Sequence, residues 1–184
     1  MAQLLKAAAY LLLLCVITVQ AADLVFSKVT LTLSEDDRVF VDAQLKYQLN
    51  ETATEALENG VPLTFEMRIQ MRDADAWVWE KDIVEYRLRS VLRYRPLSAL
   101  YEVRDLSGGA KQVFATRISA LRYMGRISDL AIVNRDKLDL NKEYLVRLEA
   151  YLDVEALPLP MRPKAYLSSD WDIEAEPWEW RLKP

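Results

Sequence analysis

From Leu24 onward apolar and polar residues alternate, over Val25-Phe26-Ser27-Lys28-Val29-Thr30-Leu31-Thr32-Leu33 and again over Val39-Phe40-Val41-Asp42-Ala43-Gln44-Leu45-Lys46-Tyr47. Successive side chains of a strand point to opposite faces, so this pattern predicts two strands, each with one face inward. The acidic stretch Ser34 to Arg38 between them predicts a hairpin turn. Thr52 with Glu55 three residues on has the form of a capping box, and Asn59-Gly60 supplies a stop, so a short helix is expected over Ala53 to Glu58.

Alternation resumes over Leu63 to Met71 and, past Asp73-Ala74-Asp75, over a long and partly alternating stretch from Trp77 to Arg95. Ala99 to Leu106 and Lys111 to Phe114 predict a further pair around the turn Ser107-Gly108-Gly109. The period then changes. Thr116 is placed to cap a helix in which Ile118, Leu121, Met124 and Ile127 recur every three residues, with Arg117, Arg122 and Arg126 to the outside. Glu143 to Leu152 alternates again, the proline-rich Leu157 to Pro163 is expected to be extended and irregular, and Trp178 to Leu182 predicts a last strand. Roughly eight strands and two short helices result. Short turns between strands favour antiparallel pairing, and one polar face per strand means that each sheet covers one side of a shared core. The expected fold is therefore mostly β, an antiparallel two-layer β-sandwich that is immunoglobulin-like in outline, with a small open barrel as the alternative.

The N-terminus departs from this pattern. A lone Lys6 precedes the apolar run Ala7 to Val19, and Val19-Gln20-Ala21 offers the short side chains that a signal peptidase requires. Residues 1–21 are expected to be a signal peptide and residues 22–184 one β-rich domain, exported to the periplasm. The other reading is a retained anchor, but the run is 13 residues and a helix needs about 20 to cross a bilayer. No later run suggests a transmembrane segment. Leu13 and Leu14 before Cys15 do not suit lipid attachment. Cleavage removes Cys15 and with it any disulfide, so the domain has to hold itself by its core. It also removes Lys6 and no acid, taking the net charge from −4 to −5, which argues against a nucleic-acid partner.

Composition narrows the chemistry further. The chain has no histidine and, once cleaved, no cysteine, which excludes Ser-His and Cys-His nucleophiles and the usual zinc and copper sites. The acidic turns Glu35-Asp36-Asp37 and Asp73-Ala74-Asp75 lack the alternating oxygen ligands and distal glutamate of a calcium loop and read as hairpin turns. Ser168-Ser169-Asp170-Trp171 sets a hydroxyl beside a carboxylate with no base to complete it, and reads as a turn. No cofactor, metal or catalytic residue is assigned. An enzyme built on two carboxylates, such as a glycan-cleaving one, is the remaining catalytic alternative.

Two surface patterns are candidates for binding. Between Tyr86 and Arg95, period two places Tyr86, Leu88, Leu92 and Tyr94 on one face and Arg87, Arg89, Arg93 and Arg95 on the other. With Arg68, Arg72, Arg104 and Arg147 outward on other strands and Glu66, Glu102 and Glu149 interspersed, this face is either a solvated surface stitched by cross-strand charge pairs or a cradle for an anion. Trp77 with Trp79 and Trp178 with Trp180 put two rings each on one strand face, as core or edge packing or as an aromatic binding surface.

Several segments resemble the proteobacterial exported proteins of domain of unknown function family 4390: Asn59-Gly60-Val61-Pro62-Leu63, the Gly108 to Ile127 stretch with Phe114-Ala115-Thr116, Leu152-Asp153-Val154 followed by Leu157-Pro158, and Leu167-Ser168-Ser169-Asp170-Trp171. None of these segments carries a known chemical role. The resemblance implies an exported, envelope-associated protein and, through neighbouring genes, a membrane sensor kinase as signalling partner. The expected function is thus a periplasmic protein-interaction or ligand-binding module, with binding of an acidic envelope polymer or lipid headgroup through the arginine face as the alternative.

Overall fold

The computed structural model describes residues 24–34, 38–77 and 81–183. The expected signal peptide, the Glu35-Asp36-Asp37 turn and Trp79 lie outside the described residues. The chain runs β1 (Leu24–Leu33), β2 (Arg38–Tyr47), α1 (Glu51–Glu58), β3 (Leu63–Asp73), β4 (Val84–Arg95), β5 (Leu100–Asp105), β6 (Lys111–Phe114), α2 (Arg117–Met124), β7 (Arg126–Asn134), β8 (Tyr144–Leu152), α3 (Arg162–Leu167) and β9 (Trp178–Leu182).

The strands form two antiparallel sheets, one of three strands in the order β1-β2-β7 and one of six in the order β6-β5-β4-β3-β8-β9. They pack as the two layers of a β-sandwich. Alternation fixes which face is inside: Leu63, Phe65, Met67, Ile69 and Met71 of β3 and Val146, Leu148, Ala150 and Leu152 of β8 are all buried, facing Val39, Val41, Ala43 and Leu45 of β2. Each fully buried Leu, Ile, Phe or Met contributes about 1.5–3 kcal/mol. With no cysteine among the described residues, this burial holds the layers together.

Four local expectations are corrected. The first helix is capped by Asn50 rather than Thr52, because the Asn50 side chain accepts from the Ala53 amide at 2.9 Å while its Nδ2 donates to the Asp170 carbonyl at 2.6 Å. Thr116 caps α2 as expected, accepting from the Ser119 amide at 3.2 Å, but Ile118 is exposed. That helix also stops at Met124. Its carbonyl neighbour Gly125 accepts a hydrogen bond from the Leu45 amide at 2.8 Å, and a Cβ at Gly125 would lie 2.0 Å from the Leu45 oxygen, so the chain is held against β2 there and continues as β7. Ile127 therefore belongs to a strand. Finally, Arg162–Leu167 in the proline-rich stretch is helical: Pro163 falls in the first turn, where no intrahelical amide bond is lost.

Candidate functional site

The outer face of the six-stranded sheet is assembled by register. In the β3–β4 ladder Glu66 stands opposite Arg89 and Arg68 opposite Arg87. Across β3–β8, Glu66 meets Tyr151, Arg68 meets Glu149 and Gln70 meets Arg147, while across β4–β5, Arg93 meets Glu102. The inner positions of these strands are mostly apolar, with Ser90 and the strand-end residues Asp73 and Asp105 as exceptions, so the charged positions between them fall on the opposite side. Arg87, Arg89, Arg93 and Arg95 do share that face, joined by Arg68 and Arg72 of β3, Arg104 of β5, Lys111 of β6, Arg147 of β8 and Arg181 of β9. The acids at outward strand positions are Glu66, Glu85, Glu102, Glu149 and Glu179. Basic side chains thus outnumber acidic ones on this face, although the chain as a whole carries −4.

Two buried glutamates anchor the arrangement. Glu66 accepts from the Tyr151 hydroxyl at 2.7 Å and from Arg68 Nη2 at 3.3 Å, and Arg89 Nε lies 3.5 Å from its other oxygen. Arg89 also donates to Asp153, just beyond β8. Glu102 receives Arg95 at 2.6 Å, Lys111 at 3.0 Å and Arg104 at 3.4 Å. Burial acts to raise the Glu102 carboxyl pKa, but hydrogen bonds from Lys111 and Arg95 outweigh it and hold the group below its ordinary value. Burial, followed by the bond to Glu66, pushes the Tyr151 hydroxyl above its ordinary value.

These pairs sort the four arginines of β4. Arg87 takes Glu85 on its own strand at 2.7 Å, Arg89 takes Glu66 and Asp153, and Arg95 takes Glu102. Arg93 has no ion pair among the described residues, although it stands directly opposite Glu102. Around Arg68, Arg87, Arg89 and Tyr151 the surface dips into an open, polar depression of about 480 Å³ that Asp153 and Glu155 also line. The Nε groups of Arg68 and Arg89 are buried there without a hydrogen-bond acceptor. Tyr151 and Asp153 were not singled out by residue type. Tyr151 continues the two-residue spacing of Arg147 and Glu149 along β8, which is the signal that locates it.

The two tryptophan pairs differ: Trp77 departs from its expected strand position, while Trp178 and Trp180 keep theirs. Trp77 is exposed and lies past the end of β3 rather than on a strand, because Arg72 Nη2 gathers the Ala76 and Trp77 carbonyls at 3.3 and 2.7 Å and folds the chain into a turn. Trp178 and Trp180 do share a face, with ring centroids 6.0 Å apart and planes 3° from parallel. They pair with Leu148 and Val146, whose side chains point into the core, so the stack lies on the inner face at the sheet edge. Trp178 is packed against the core and Trp180 is 53% exposed. At the other sequence candidates, Asp73 is ion-paired to Lys142 at 2.7 Å in its turn, and Ser168 accepts from the Asp170 amide at 3.3 Å beside buried Trp171.

No helix of the described residues is long and apolar enough to cross a membrane. A search of curated proteins and one of solved structures return no match. The family comparison is positive: residues 21–181, from before β1 into β9, match a family described as a domain of unknown function, DUF4390, and the chain belongs to that family.

Proposed function

We propose that this chain is an exported binding domain of the cell envelope whose arginine-rich sheet face receives an acidic surface of a protein partner. The observation that carries the reading is the excess of basic over acidic side chains on one open sheet face of an otherwise acidic protein. Six strands at about 4.8 Å spacing make a face roughly 25 Å across. That is the scale of one side of an ordinary protein–protein interface, about 800 Å². Arginine is favoured at such interfaces, and opposite charge steers partners together. The export part of the proposal is supported by Lys6, the apolar run to Val19 and the Val19-Gln20-Ala21 site, and it sets the periplasm as the place of action. No catalytic step is assigned, since the chain has no histidine and no thiol beyond Cys15. The resemblance noted above makes a membrane sensor kinase the first partner to test.

A photo-crosslinking residue at position 93, followed by mass spectrometry of envelope fractions, tests this. A specific envelope protein is expected in the adduct. A processed, folded chain that yields no adduct from position 93 or 87 defeats the reading. The depression at Arg68, Arg87 and Arg89 supports a second one, in which the acidic group is a carboxylate or phosphate of an envelope polymer or lipid headgroup.

A further inference from the structure

The two layers of the sandwich part beside β7, on the face opposite to the arginines. Phe65, Met67 and Leu88 form the floor of a groove of about 280 Å³, Met124 and Ile127 form its roof, and Tyr47 forms an end wall. A second depression of about 440 Å³ lies beside α2, and Tyr47 and Arg126 line both. The opening has a backbone cause. Between Val41 and Ala43 of β2, the facing β7 residues advance from Leu130 to Ile127, one residue more than β2 does, and Asp129 takes up the extra residue at φ 54° with its amide held by Asp42 at 3.0 Å. A bulge bends its strand and re-aims the side chains around it, and here it bends the start of β7 beside the groove.

The lining and the rim differ in character. The lining is mainly apolar, and Tyr47, whose ring meets Phe65 edge-on at 5.0 Å, is so desolvated that burial drives its hydroxyl pKa far above the ordinary value. At the rim stand Lys46, Arg122 and Arg126, and none of the three has an ion pair among the described residues. The one carboxylate of the lining, Asp105, is turned to its own loop, accepting the Ser107 and Gly108 amides at 2.8 and 3.1 Å. An apolar slot of this size with unneutralised cations at its mouth is complementary to a molecule with a hydrocarbon chain and an anionic head.

We propose that the groove between the layers binds a single-chain anionic amphiphile, with the acyl chain between Leu88 and Met124 and the headgroup against Arg122 and Arg126. This site is separate from the arginine face of the outer sheet and does not depend on it.

The test uses the purified full chain and oleate below its aggregation threshold, read by isothermal titration and by methyl NMR. One oleate per chain is expected, with shifts at Met67, Leu88 and Met124. In the exposed double variant Arg122→Glu/Arg126→Glu, affinity for oleate should fall at least about tenfold, while neutral monooleoylglycerol binds unchanged. Comparison with oleoyl lysophosphatidate tells a carboxylate source from a phosphate source, and tighter binding of either supports the site. No oleate binding by the folded chain overturns the proposal, as does oleate binding that the double variant leaves unchanged. Binding only to anionic phospholipid vesicles, removed by changes at Arg87 and Arg93, also overturns it and assigns the lipid to the outer face.

Discussion

The Tyr151 hydroxyl donates to Glu66 at 2.7 Å, between residues 85 positions apart in sequence that the β3–β8 register sets side by side. Arg68 Nη2 reaches both, lying 2.8 Å from the Tyr151 oxygen and 3.3 Å from Glu66. A buried carboxylate needs several donors, and here a neutral one supplies part of the set, which leaves more of the surrounding guanidinium charge facing solvent. Tyr151→Phe removes that donor without changing shape. The expected loss of stability is about 1–3 kcal/mol by denaturant titration, the cost of an under-satisfied buried group. A loss below about 0.5 kcal/mol would show that water replaces the hydroxyl.

The same tyrosine fixes a pH dependence. Tyr47, Tyr101 and Tyr151 are all raised above the ordinary value of 10.0, in each case first by burial. A raised folded-state pKa means that the native state holds its proton more tightly than the unfolded chain does. This stabilisation is complete below about pH 10 and is lost as pH climbs from there through the folded-state values. Unfolding midpoints in urea should therefore fall steeply above pH 10, and Tyr151→Phe should make the fall shallower. An equal slope in wild type and variant excludes Tyr151 as a contributor.

Much of this architecture is legible in the sequence because period two reports faces directly: the stripe Arg87, Arg89, Arg93 and Arg95 lies on one side of β4 as its spacing requires. Periodicity does not report which residue stands across the ladder. That Arg93 faces Glu102 yet makes no ion pair with it, while Arg95 and Lys111 do, depends on register and reach. The three-residue recurrence from Ile118 to Ile127 hides β7 because Gly125, chosen for its close approach to Leu45, interrupts the helix without altering the apolar spacing. The groove under β7 follows from a bulge at Asp129, which leaves no mark in residue type.

Glu102 makes the opposite acid-side prediction. Its carboxyl is held below the ordinary 4.5 in the fold, so its stabilisation is present above that pH and lost as pH falls through the folded-state value. Glu102→Gln leaves Arg95, Arg104 and Lys111 beside a neutral amide, and should cost about 1–3 kcal/mol at pH 7. The cost should shrink when the comparison is repeated at pH 3. If it is the same at both pH values, packing and not charge accounts for it.

Gly125→Ala tests the seam between α2 and β7. The added Cβ would meet the Leu45 carbonyl oxygen at 2.0 Å and its carbon at 3.0 Å, both backbone atoms of a central strand that cannot step aside. Gly125 has φ −81°, so backbone strain is not the cause. A destabilisation of about 3 kcal/mol or more is expected, or loss of the folded state, read by circular dichroism and thermal unfolding. A variant that melts within 2 °C of wild type contradicts the seam geometry.

The arginine face can be probed without disturbing the fold, because its two most separable charges do little structural work. Among the described residues Arg93 has no ion pair, and Arg87 is paired only to Glu85, two residues away on the same strand. Replacing both by Gln removes two positive charges and adds no negative one beside Glu102, so the thermal midpoint should move by no more than a degree or two. Binding to the crosslinked envelope partner should respond quite differently. Exposed charges act across about 10 Å at 0.1 M salt and about 3 Å at 1 M. The double variant should therefore bind at least about tenfold more weakly at 0.05 M salt, mainly through a slower association rate, and the gap should close at 0.5 M. An Arg122→Gln/Arg126→Gln control, on the other layer, should leave this interaction untouched. Equal affinity of wild type and Arg87→Gln/Arg93→Gln at low salt removes the arginine face from the binding function.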